Sequence, residues 1–165
     1  IEMDELIDEV GVDAARYFFV DRRISQQLDF DIELAKKNNA DNPVWYVQYA
    51  HARMCNIFKN AEEKGFSTSN LKDASALSED LALAVVKKLL DFPVVVAQAA
   101  ETLEPHRLPN YLTEVAASMH RFYQKHKVLT EDDKQREARL LLVDATRQVL
   151  ANGLELLGIS APTYM

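Results

Sequence analysis

Four histidines (His51, His106, His120 and His126), the single cysteine Cys55 and 26 acidic residues are the side chains of this sequence that could ligate a metal or carry protons. Such chemistry needs its groups at set spacings: HExxH on a helix, paired CxxC units, or the alternating oxygen ligands of an EF-hand loop. None of these spacings occurs. His120 and His126 are six residues apart, which puts them on different helix faces. Cys55 falls mid-helix without an activating base nearby in sequence, so it reads as packed or idle. No glycine-rich phosphate loop and no GxSxG elbow is present. The sequence therefore shows no catalytic centre and no metal site, and the histidines read as solvent-facing or hydrogen-bonded groups.

The aromatic residues are more informative. The stretch "NPVWYVQYAHAR" (42–53) places Trp45, Tyr46 and Tyr49 at the opening of a long helix. With successive side chains turned by about 100°, Val47, Ala50, Met54, Ile57, Phe58 and Ala61 form one core-facing stripe. Tyr46, Tyr49, Arg53 and Asn60 lie together on its flank. On a later helix His120, Tyr123 and Lys127 flank another apolar seam. Rings for stacking beside cations for phosphates are what unstacked RNA bases require. The same pattern also fits half-buried tyrosines with their hydroxyls in water, in a bundle that only packs against another helix or domain. Trp45, turned away from the core stripe, fits a contact with the preceding helices.

The elements that must position these residues are helical. Glycine and proline are scarce, four and five in 165 residues, and period-two alternation is absent. Met3 to Val10 reads as a short acidic helix stopped by Gly11. Asp13 is placed to cap a second helix through "AARYFFVDRR", with two arginines near its C-terminal end. "LDFDIELAKK" suggests an extended approach into a short helix. Asn42 as N-cap, Pro43 at the first position and Gly65 as terminator define the long helix. "FSTSNLKDAS" (66–75) is the clearest linker. Further helices are expected over Ser78 to Leu90 and from Phe92 to before Pro105. Leu108, Leu112, Val115, Met119 and Phe122 form the seam of the next. Thr130 with Asp133 resembles a capping box opening a last helix that reaches about Leu157, and Gly153 inside it marks close helix packing. The expected fold is an all-α bundle of about six to eight helices.

Composition sets the remaining bounds. The chain is 48% apolar and 27% charged, ordinary for a globular domain. No segment approaches the roughly 18 apolar residues of a membrane span, so no membrane partner is expected. Ile1 already lies within an apparent helix, which suggests a piece of something larger. The net charge of -7 argues against an RNA partner, yet it is uneven: residues 1–42 carry -6, 43–127 carry +1 and 128–165 carry -2. A locally basic surface in the middle is compatible with that distribution. "ISAPTYM" ends on an aromatic and Met165 where frayed polar residues are usual, so the tail either docks on the bundle or serves a partner.

Six blocks in order, "DELIDEVGVDAARYFF", "LDFDIELA", "NPVWYVQYAHAR", "LEPHRLPNYL", "FYQKHKVL" and "TRQVLANGLELLGISAP", resemble the C-terminal region of bacterial-type arginyl-tRNA synthetases of class I. The resemblance covers nearly the whole chain. It implies an α-helical anticodon-binding domain of the DALR type over residues 42–165, preceded by linking and stem-contact helices over 1–41. The family's HIGH-like and KMSKS-like signatures are absent here. ATP and magnesium are thus implied for a catalytic domain upstream, with no cofactor in this segment. The implied partners are the anticodon stem-loop of arginine tRNA and the catalytic domain of the same chain, in a cytoplasmic monomer.

Residue by residue, Tyr46 and Tyr49 match tyrosines lining the family's anticodon pocket, and Tyr123 matches an aromatic across it. Met165 matches a C-terminal methionine that reaches the same region. Lys127 stands where some relatives carry tryptophan, which replaces a stacking contact by a phosphate contact. Thr163 and Tyr164 depart from the acidic-basic pair common before that methionine. Arg53 is added from helical spacing alone.

Overall fold

The computed structural model describes residues 2–165. Its helices are α1 (Met3–Val10), α2 (Val12–Val20), α3 (Ile32–Ala35), α4 (Pro43–Glu63), α5 (Asp80–Leu90), α6 (Phe92–Glu101), α7 (Arg107–Lys125) and α8 (Asp133–Leu156), with no strand among the described residues. This is the expected all-α architecture. Seven helices run for two turns or more, and α3 is a single turn. The 66–75 linker carries neither helix nor strand.

Local chemistry sets the boundaries of α4. Buried Asn42 accepts from the Val44 N–H at 3.2 Å, and its amide donates to the Ala35 and Lys37 carbonyls, each at 2.9 Å. One side chain therefore caps α4 and ties it to α3. At the other end Gly65 adopts φ +75°, the left-handed terminator that glycine enters without strain.

Three boundaries differ from expectation. Asp13 does not cap α2: Gly11 holds the N-cap position, and the Asp13 carboxylate is engaged by Gln48 and Ser160 instead. That helix ends at Val20, leaving Arg22 and Arg23 in the turn beyond its C-terminal end. The last helix opens at Asp132, whose carboxylate accepts from the Gln135 N–H at 2.8 Å, two residues past Thr130. At the two N-terminal boundaries the Asp13 carboxylate had better partners and the Asp132 carboxylate a better register than local spacing indicates.

The core has two lobes. Val44, Val47 and Ala50 join Leu108, Leu112 and Val115 with Leu150 and Leu154 in the first, where Ala14 and Tyr17 of α2 also pack. Met54, Ile57 and Ala61 join Met119 and Phe122 with Leu140 and Val143 in the second, closed by Ala82 and Val85. Both α4 and α7 enter at the first lobe and leave at the second, whereas α8 runs the other way. Hence α4 and α7 lie parallel, and residues of rising number meet along their shared edge.

Two contacts fix this frame. Arg139 of α8, with 7% of its side chain exposed, pairs with Glu79 before α5 and donates to the Lys127 carbonyl at 2.5 Å. Gly153 of α8 faces Leu112 so closely that a β-carbon built there would overlap a leucine methyl. Because Leu112 is fully buried, it has little room to withdraw. Gly153→Ala is expected to destabilise the fold by about 1–3 kcal/mol through overpacking, despite a helix-propensity gain of about 1 kcal/mol. Urea denaturation checks this, and a raised midpoint would show that the close approach is not limiting.

Candidate nucleic-acid interface

Along the parallel edge of α4 and α7 the flank residues form a continuous row. The Trp45 and Tyr49 rings stack at 4.7 Å with planes 9° apart. His120 sits between the tyrosines, 5.1 Å from Tyr46 and 6.3 Å from Tyr49. One turn further on, the Arg53 guanidinium lies over the Tyr123 ring, 4.3 Å from its centroid. The order 46, 49, 53 on α4 is matched by 120, 120, 123 on α7, as parallel helices require.

The buried tyrosines of this fold are anchored through their hydroxyls. Tyr17 bonds the Pro109 carbonyl and the Thr113 hydroxyl, and Tyr111 donates to the Lys88 carbonyl at 2.7 Å. Burial raises both phenols above their ordinary range. Tyr46, Tyr49 and Tyr123 are half-buried, and among the described residues their hydroxyls bond no protein group. A tyrosine kept only for packing is normally tied down at its hydroxyl when covered; these three leave the hydroxyl untied, although Tyr46 and Tyr123 pack partly against the core and burial also raises the Tyr46 phenol.

Three adjoining clefts follow the row. The first, about 380 Å³, lies between Trp45, Tyr46, Tyr49 and His120 and the amides of Asn38, Asn39 and Gln124. The central cleft, about 750 Å³, is bounded by Tyr49, Arg53, Asn56, Lys59, Tyr123 and the chain end at Thr163, Tyr164 and Met165. The third, about 410 Å³, holds Lys64, Lys127 and Glu63 beside Tyr123. Tyr49 borders the first two and Tyr123 the last two. The central cleft contains Arg53 and Lys59 and no acidic side chain, and neither cation forms an ion pair among the described residues. A chain of net charge -7 thus gathers two cations without ion-pair partners among the described side chains into one recess.

Burial lowers the basicity of His120, and the nearby Arg53 charge lowers it further. The ring is accordingly neutral at pH 7 and acts as a further flat aromatic surface. Its Nε2 is buried without a hydrogen-bond partner. His51, one turn before Cys55 on α4, is also made less basic by burial, opposed by its bond to the Pro162 carbonyl. The Cys55 sulfur lies 3.9 Å from both His51 ring nitrogens, so an imidazole does stand one turn before it. No group of three or more metal-ligating side chains is gathered among the described residues.

The six residues singled out by sequence are distributed over this surface. Tyr49, Arg53, Tyr123 and Met165 share the central cleft, Tyr46 lies in the first, and Lys127 lies in the third, exposed. Sequence reasoning gave Trp45 only a contact with the preceding helices and passed over Asn56 and Lys59. Asn56 continues the helical period of Tyr49 and Arg53 and was reachable by it, whereas Lys59 lies about 80° from Tyr49 around the helix and was not. The Trp45–Tyr49 contact was reachable too, because residues four apart are neighbours on a helix surface.

A helical domain that presents rings and unpaired cations along one groove has the surface chemistry that splayed bases and phosphates require. The family model of the DALR anticodon binding domain matches residues 47–165, and the chain belongs to that family. Relatives include arginine–tRNA ligases from Geotalea daltonii, 51% identical, and Desulforudis audaxviator, 49% identical, each aligned over 100% of this chain. The chain spans 30% of the length of either relative. Among solved structures, arginyl-tRNA synthetases from Campylobacter jejuni and Thermus thermophilus superpose with TM-scores of 0.89 and 0.83 at 29% and 34% identity. Both superpositions cover 100% of this chain, with 36% and 28% of the respective partner chains.

Proposed function

We propose that this chain binds the anticodon stem-loop of arginine tRNA, as the anticodon-reading part of a longer ligase that attaches arginine to tRNA with ATP. The observation that carries this reading is the row of stacked and half-open rings from Trp45 to Tyr123, set beside Arg53 and Lys59 in a recess without acidic side chains. Stacking accepts splayed loop bases, and the cations meet the phosphates between them. Tyr46, Tyr49, Tyr123 and Met165 supply base contacts, while Arg53 and Lys127 supply phosphate contacts. Residues 1–41 link the domain to the catalytic part and face the inner stem. ATP and magnesium act outside these 165 residues, in a cytoplasmic, monomeric enzyme. No helix among the described residues is long and apolar enough to cross a membrane.

The test is fluorescence anisotropy of this chain with a labelled arginine-tRNA anticodon stem-loop, against the same stem with a substituted loop, from low to physiological salt. Tighter binding to the native loop, weakening with salt, supports the proposal. Equal binding to both loops, or none at low salt, returns the tyrosines to a purely structural role.

A further inference from the structure

The chain does not end loosely after α8. Leu157 accepts at its carbonyl from Arg16 Nε at 3.0 Å, and Ile159 is buried in the first lobe. The next residues are then gripped by side chains of two other helices. Asp13 of α2 accepts from the Ser160 N–H at 3.1 Å and from the Ser160 hydroxyl. Gln48 of α4 donates both to Asp13, at 2.8 Å, and to the Ser160 carbonyl, at 3.0 Å. One turn along α4, His51 Nδ1–H donates to the Pro162 carbonyl at 2.8 Å. Beyond Pro162 this grip stops, and residues 163–165 lie in the wall of the central cleft opposite Arg53 and Tyr123.

We propose that Asp13, Gln48 and His51 form a positioning clasp whose task is to hold Thr163, Tyr164 and Met165 as a fixed wall of the central cleft. The inference rests on the RNA-binding reading of that cleft. A segment without anchors samples many conformations, and ordering it at the moment of binding weakens affinity. The clasp orders the segment beforehand. Its strongest member is a carboxylate receiving several donors, the charge-assisted kind of hydrogen bond. With at most about 3.6 Å of reach per residue, Met165 stays within about 11 Å of the Pro162 anchor. Asp13, Gln48 and His51 do not touch the RNA in this arrangement; they act through the tail.

Two readouts on the 165-residue chain test the clasp. Carboxypeptidase Y release of Met165 and Tyr164 reports tail order without RNA. Stem-loop affinity reports the wall. Asp13→Ala is expected to speed release about tenfold or more, the factor matching loss of a hydrogen bond to a charged group. It is also expected to weaken the stem-loop as much as deleting residues 163–165, and to add nothing in the deleted chain. Ser160→Ala, an exposed substitution that leaves α2 intact, is expected to move both readouts the same way, with helical circular dichroism confirming the fold. Unchanged release in folded variants would overturn the clasp. Faster release with unaltered RNA affinity would overturn its role in the site. A native chain that binds no stem-loop would overturn the RNA reading, while the release rates still decide the clasp.

Discussion

Replacing Arg139 by methionine is expected to lower the folding free energy at pH 7 by about 3 kcal/mol, toward the low end of the range for stranding one charge of a buried pair. The low end applies because Glu79 keeps 16% of its side chain exposed, so water screens part of its charge. Burial by itself pushes the Glu79 carboxyl up. The Arg139 hydrogen bond, the backbone N–H groups and the Arg139 charge outweigh burial and hold it below its ordinary value. A carboxyl depressed on folding contributes stability above its unfolded pKa and loses that contribution as pH falls through its folded pKa. In the methionine variant only the backbone N–H groups still oppose burial, so Glu79 takes up a proton more readily. The deficit relative to the native chain should therefore be largest near pH 7 and shrink toward pH 4. Urea denaturation at the two pH values measures it. Arg139→Met with Glu79→Gln should recover much of the loss, since no charge is then stranded. A deficit that is independent of pH would assign the loss to the Lys127 carbonyl, which also loses its donor.

How much of this was legible in the sequence follows from the range of each interaction. The α4 boundaries were readable because Asn42, Pro43 and Gly65 act on the nearest backbone groups. The core faces of α4 and α7 were readable because burial repeats with the helical period, and Val47, Met54, Leu112 and Phe122 are each buried. Asp13 shows the limit. Its local environment suits a helix cap, but Gln48 and Ser160, 35 and 147 residues away, hold its carboxylate. Spacing within one helix carries no information about such partners. Arg139 was silent for the same reason: Glu79 stands 60 residues before it.

The candidate site divides along the same line. Tyr46, Tyr49 and Arg53 share a flank by periodicity, and so do His120, Tyr123 and Lys127. That the two flanks meet depends on α4 and α7 lying parallel, which follows from how each crosses the two core lobes. Trp45 is a separate case, since its stacking partner lies four residues on along the same helix. On a helical wheel it is a surplus ring facing away from the core; in the folded chain it extends the aromatic row by stacking on Tyr49.

Truncating Tyr49 and Tyr123 to alanine is expected to weaken stem-loop binding by about 5- to 150-fold each, corresponding to about 1–3 kcal/mol per stacked base. Both residues border the central cleft, so their effects need not add, and the double variant measures the coupling. Phenylalanine at either position should leave binding nearly unchanged, because the ring carries the stacking and neither hydroxyl is tied to the fold. A structural role predicts another ordering. Alanine would then lower stability as well as affinity, through loss of the Trp45 stack or of the Arg53 contact. The salt dependence separates rings from cations. Removing a tyrosine should shift the affinity and leave its slope against log salt intact. Arg53→Ala and Lys59→Ala should each reduce that slope by about 0.7, one counterion's share for single-stranded nucleic acid. If the tyrosine variants instead flatten the slope, the rings act by orienting the cations over the phosphates, and base stacking is not what holds the loop.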